Sequence, residues 1–184
     1  MEVAVQYFEK AGKSNTSETL SVSHRRAKAL GITQIVVAST HGFTGLKTRE
    51  VFSDPATRII AVSISGAFED EGWIMTAQER KKLEDAGVTV LTCMHSLGDD
   101  VNDAFAGDSP NKIVRKTLYT FGQGMKVAVE CALMAADAGL LDMSKNVISI
   151  AGTDKGADTS VVIRPAYTRF FTKLRVREIL AKPR

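Results

Sequence analysis

Three hydroxyl side chains and two glycines stand together in Ser39-Thr40-His41-Gly42-Phe43-Thr44-Gly45. An apolar β-branched run, Ile35-Val36-Val37-Ala38, precedes them, and Leu46-Lys47-Thr48-Arg49-Glu50-Val51 can continue as a helix. The pattern predicts a strand, a tight turn and a helix. Such a turn leaves backbone N–H groups and hydroxyls free at the positive end of a helix, which suits a phosphate or another oxyanion. Ser39, Thr40 and Thr44 would supply hydroxyls, Gly42, Phe43 and Gly45 N–H groups, and Lys47 a charge partner.

Gly152-Thr153-Asp154-Lys155-Gly156-Ala157-Asp158 is a second small-residue turn behind another apolar run, Val147–Ala151. Its Lys precedes the last glycine and no Gly-Lys-Ser/Thr is present, so it departs from the P-loop and nucleoside triphosphate hydrolysis is unsupported. Met94-His95-Ser96 follows a third run, Val88–Thr92, and Gly122-Gln123-Gly124-Met125 opens a long apolar helix. Cys93 and His95 lie two apart with no second ligand pair, so no metal site is expected. A nucleophile-elbow pattern is absent as well.

These turns need elements to hold them. Thr16 to Leu30 reads as a helix behind the capping candidates Ser14 and Asn15 and is stopped by Gly31. Strands are predicted near Gln34–Ala38, Arg58–Ile64, Val88–Thr92 and Val147–Ala151, with a return through Ser160–Ile163. Thr76 with Glu79 three residues on has capping-box spacing, and Gly87 closes that helix. The span from Cys93 to about Ile113 is the least regular: His95 to Asp100 leads into a short helix, which Gly107-Asp108-Ser109-Pro110 breaks. The helix from about Gly124 to Ala138 carries apolar residues nearly all round its axis and so should be buried.

Strand following helix following strand implies a parallel α/β sheet with right-handed crossovers. Ligands in such sheets sit at the carboxyl ends of the strands, where strand order reverses. The candidate turns Ser39–Gly45, Ser65–Gly66, Met94–Ser96 and Gly152–Asp158 each follow a strand, so they crowd one edge. The first helix runs antiparallel to the strand it feeds, which brings Lys10, Asn15 and Thr16 to that edge too.

With 184 residues the chain fits one domain, spanning 1–184. Two cysteines make no disulfide framework, the start has no basic leader before an apolar core, and no apolar run is long enough to cross a membrane. A cytoplasmic protein with no membrane partner is expected. Net charge is +3, but Arg164 to Arg184 holds seven basic residues against one acid. The alternation in Lys173-Leu174-Arg175-Val176-Arg177 favours a half-buried strand over nucleic-acid binding, since no aromatic platform or helix-turn-helix pattern accompanies it. Homo-oligomerisation is left open.

The segments Asn15-Thr16 through Ile32, Ile35 to Thr44 and Arg58 to Ser63 resemble the C-terminal domain of pyruvate kinase, where a turn after the strand holds a sugar phosphate. The whole chain is similar to the small stand-alone proteins called pyruvate kinase C-terminal-domain-like, through Tyr7-Phe8-Glu9-Lys10, Ala151 to Thr159 and the ending Val176 to Arg184. The resemblance implies a three-layer α/β/α sandwich around a mostly parallel sheet of order 3-2-1-4-5. It also implies FMN as the cofactor, a small phosphorylated ligand held at Ser39–Gly45. It does not imply pyruvate kinase activity, which needs a separate barrel. His41 stands where the kinase turn has an acidic residue, so the kinase's sugar effector is not carried over. On this reading Asn15, Gly152, Thr153, Gly156, Ala157 and Asp158 lie across the switch point from the phosphate, where the ribityl chain or ring could run. Met94, His95, Gly122, Gln123 and Gly124 could line the isoalloxazine, methionine packing on the ring and glycine N–H groups approaching its nitrogens. Whether a flavin-dependent redox reaction follows is open, and a non-catalytic regulatory domain that senses a phosphorylated metabolite is the alternative.

Overall fold

The computed structural model describes residues 2–98, 101–105 and 107–184. Asp99 and Asp100, at the end of the loop expected to lead into a short helix, lie outside the described residues.

The most apolar runs form the middle of the sheet. Strands β2 (Gln34–Ala38), β3 (Arg58–Ser63) and β5 (Val147–Ala151) are buried on both faces, as near-continuous Val and Ile runs require. β4 (Thr89–Thr92) pairs parallel with β3, and β2 pairs parallel with both β3 and β5. β6 (Thr159–Arg164) returns antiparallel to β5, and β7 (Arg175–Pro183) runs antiparallel to β6. The first strand, β1 (Gln6–Phe8), then pairs parallel with Ala181–Pro183 of β7.

The full order is β1-β7-β6-β5-β2-β3-β4, seven strands, which differs from the expected order 3-2-1-4-5. The run β4-β3-β2-β5-β6 is extended by both chain ends, and local periodicity carries no information about that distant pairing. The tail also departs from expectation. Lys173 ends a 3-10 stretch, Thr168–Lys173, and Arg175, Val176 and Arg177 are all exposed rather than alternating. β1 covers the outer flank of β7 only along Ala181–Pro183, so the first half of β7 is a charged edge.

Alternate residues of the strands feed two cores. On one face Ile35, Val37, Ile59, Ile148 and Ile150 pack with Leu20 of α1 (Thr16–Leu30), Phe52 after α2 (Phe43–Val51) and Leu83 of α3 (Ala77–Asp85). On the other, Val36, Ile60, Val161 and Ile163 pack with α6 (Gln123–Asp137). Helix, sheet and helix thus form three layers. Between β4 and α6 lie α4 (Val101–Ala104) and α5 (Pro110–Tyr119). The Ser109-Pro110 pair expected to break a helix instead starts one: Ser109 Oγ accepts from Lys112 N at 3.2 Å, and Pro takes the first helical position. Among the described residues no helix is long and apolar enough to cross a membrane.

Candidate functional site

The turn after β2 is built by Ser39. Its N–H donates to Val62 O at 2.9 Å, which keeps it in line with β3, and its Oγ accepts from Gly45 N at 3.0 Å. The chain reverses through Gly42, whose φ of 85° favours glycine, and α2 begins at Phe43 with no side-chain cap. Gly45 lets the helix lie against the core: a Cβ there would stand 2.8 Å from Leu83 Cδ2 and 3.3 Å from Ala61 Cβ. Gly42, Thr44 and Gly45 are buried, Thr40 is half-buried, and His41 and Phe43 are exposed. Among the described residues the N–H groups of Phe43 and Thr44 have no hydrogen-bond partner. They point along the positive end of α2.

Three further segments lie at the same edge of the sheet as this turn. The first is the start of α1, which Lys13 joins to it by placing its ammonium 4.2 Å from the centre of the Phe43 ring. Asn15 is at the cap position but does not cap; its amide donates to Lys10 O at 2.7 Å. The second is the Gly152–Asp158 connection between β5 and β6. Ala157 N donates to Thr16 Oγ1 at 3.0 Å, and a Cβ on Gly156 would stand 2.5 Å from the same oxygen. Asp158 is fully buried; its carboxylate accepts from Gly12 N at 2.9 Å, Thr153 N at 3.1 Å and Thr159 Oγ1 at 2.8 Å. Those protein donors make it a brace between the chain's opening and the β5–β6 turn, while Thr153 and Gly156 are partly open to solvent. The third is the start of α6. Gly122 enters it at φ 116° with no side-chain cap, and a Cβ on Gly124 would fall 2.2 Å from Thr159 Oγ1. Gln123 is exposed beside it.

Ser39–Gly45, Asn15, Gly122–Gly124 and Gly152–Asp158 therefore gather at the carboxyl ends of β2 and β5. Met94 and His95 stand apart, after β4. Met94 is exposed, and His95 lies 5.5 Å from the Phe68 ring, which stacks on Trp73 at 5.8 Å. This flank reaches the turn through His41, whose Nδ1 is 3.3 Å from Glu79 Oε2 at the start of α3. The Thr76 N–H, ahead of a smaller contribution from His41, holds the Glu79 carboxyl below its usual range.

One feature of α6 was hidden in its apolar pattern. Lys126 and Glu130, both buried, form an ion pair one turn into the helix, and Glu130 Oε1 accepts from Leu97 N at 2.9 Å. The i, i+4 spacing of opposite charges was its signal in the sequence. The pair ties the loop carrying Met94 and His95 to the helix whose start borders the turn. Cys93 nearby is pushed up by burial, then by Asp137 and Glu130, and is no reactive thiolate. Two cavities lie elsewhere, at the amino edge of the sheet and between Phe121, Met125 and β7.

No family model matches the chain. A solved pyruvate kinase from Cryptosporidium parvum, in complex with ADP, is similar to it with a TM-score of 0.40 and 12% sequence identity over 88% of this chain. The chain spans 23% of the length of that structure.

Proposed function

We propose that this chain is a cytoplasmic FMN-binding protein that holds the phosphate on the turn Ser39–Gly45. The observation that carries the reading is the pair of unpartnered N–H groups at Phe43 and Thr44, set behind the left-handed Gly42. A phosphate there would satisfy both donors and lie against the positive end of α2. Lys13, with its ammonium 4.2 Å from the Phe43 ring, would add charge there. The partly open Thr153 and Gly156 and the start of α6 would flank the ribityl chain, and Met94, His95 and Phe68 offer polarisable surfaces on the β3–β4 side. FMN would supply redox chemistry when bound, and the residues of this chain would hold and orient it. Pyruvate kinase activity is not part of the proposal.

Purified protein should be yellow, release FMN on denaturation, and melt higher with added FMN. A ligand that binds only the native state stabilises it by about 2.7 kcal/mol at a hundredfold excess over Kd. Colourless protein whose melting temperature FMN does not move would contradict the proposal. Stabilisation by a sugar phosphate but not by FMN would instead assign the turn to a non-catalytic sensor of a phosphorylated metabolite.

A further inference from the structure

At the opposite edge of the sheet a cavity of about 350 Å³ opens where β2 and β5 begin and β6 ends. Strand register sets its wall: Gln34, Asn146, Arg164 and Arg177 stand at the amino ends of β2 and β5 and the facing ends of β6 and β7. Three cations line it, Lys145, Arg164 and Arg177, and no acid does. Among the described residues the side chains of Arg177, Thr33 and Asn146 make no hydrogen bond, and all three residues line the cavity.

The wall is firmly built. Gln34 is 5% exposed and spends its whole amide on the turn that carries Lys145. Its Nε2 donates to Asp142 O at 3.1 Å and Asn146 O at 3.2 Å, and its Oε1 accepts from Asp142 N at 3.0 Å. Arg164 Nη1 donates to Ser144 O, which fixes its guanidinium on the same turn. Two groups oppose an anion here, and among the described residues both leave the Arg164 and Arg177 guanidinium groups without a carboxylate partner. Asp142 pairs with Lys145 through Oδ2 at 3.4 Å while its Oδ1 accepts from the Ser144 N–H and hydroxyl, so Lys145 is neutralised and Arg164 and Arg177 are left as the cations for a ligand. The carbonyl end of α1 borders the cavity, but Ala27 O and Lys28 O are already taken by the N–H groups of Ile32 and Gly31.

We infer that this amino-edge cavity is a second anion site, one that takes the phosphate of a small phosphorylated metabolite between Arg164 and Arg177. Two guanidinium groups offer paired N–H donors that match phosphate oxygens, and Thr33 and Asn146 are placed to bond the remainder of the ligand. The size of the cavity limits the occupant to a small molecule. The site explains part of the basic tail, whose Arg164 and Arg177 otherwise have no shared role. It is independent of the FMN proposal, which concerns the other edge.

The test is a titration of the full chain with inorganic phosphate and with glycerol 3-phosphate at constant ionic strength, followed by amide spectra. The expected result is a saturable shift of the Thr33 and Asn146 amides, tighter for the ester than for phosphate. Arg177→Gln should weaken it about tenfold or more, the scale of one charge-assisted hydrogen bond. Because the Arg177 side chain is exposed and makes no hydrogen bond, that variant should keep the parent melting temperature, and Ser39→Ala should leave the Thr33 and Asn146 shifts unchanged. Linear, unsaturated shifts, shifts confined to Ser39–Gly45, or equal affinity in Arg177→Gln would each overturn the inference.

Discussion

Five helices of this chain start in two ways. α3 and α5 are closed by their own side chains: Thr76 Oγ1 accepts from Glu79 N at 3.2 Å in a complete capping box, and Ser109 does the same for Lys112. α1, α2 and α6 start at Asn15, Gly42 and Gly122 with no side-chain cap. A cap contributes about 1 kcal/mol, so three starts without one leave out stability that the same chain uses elsewhere. The uncapped starts are also the three that meet around the ends of β2 and β5. They are held instead by contacts from outside the helix, Ser39 on Gly45, Thr16 on Ala157 and Gly124 against Thr159. At α2 this support fixes the backbone while leaving the Phe43 and Thr44 N–H groups for a ligand, which a cap would consume.

The largest expected effect comes from the support behind α6. Lys126→Ala strands Glu130 in the interior and should cost about 3–5 kcal/mol in urea unfolding. Lys126→Met with Glu130→Leu should regain much of that, because the buried charge is gone. A single-variant loss below about 1 kcal/mol would show that the start of α6 does not lean on this pair. Ser39→Ala leaves the buried Gly45 N–H unpaired and should cost about 1–3 kcal/mol, with weaker FMN binding. Thr76→Ala should cost about 1 kcal/mol and leave FMN affinity alone. Equal effects of these two variants on FMN would erase the distinction between the two kinds of start.

The smallest effect is in pH. The Glu79 carboxyl is depressed in the fold, first by the Thr76 N–H. Its contribution is therefore present above the unfolded carboxylate pKa of about 4.3 and is lost as pH falls through the lower folded value. The difference in melting temperature between the parent and Glu79→Ala should shrink on acidification below about pH 4, and a constant difference would show that the Glu79 charge contributes nothing to the capping box.

What could be read from the sequence follows from how local each signal is. The Thr16–Leu30 helix, the β2 turn and the Thr76–Glu79 box are set by neighbours within a few residues, and the structure has all three. Ser109-Pro110 was also local but ambiguous, since proline ends one helix as readily as it begins another. The pairing of β1 with β7 joins the two ends of the chain, and no window of sequence contains it. In the site, the placing of Asn15 and Gly152–Asp158 at the edge that carries Ser39–Gly45 followed from the edge rule for parallel sheets, whereas Gly122–Gly124, which opens a helix and follows no strand, lay outside that rule. The internal use of Asp158 did not, because its donors Gly12 and Thr153 come from different parts of the chain. Lys126 and Glu130 were masked by the apolar residues around them.

The most direct test of the central claim compares helix starts in one spectrum. Amide shifts recorded during an FMN titration should saturate at Phe43 and Thr44, with smaller changes at Gln123 and Gly124, while Ala77 and Gln78 behind the Thr76 cap stay unmoved. Saturable binding that moves the capped starts and leaves Phe43 and Thr44 in place, or no saturable binding at all, would contradict the account.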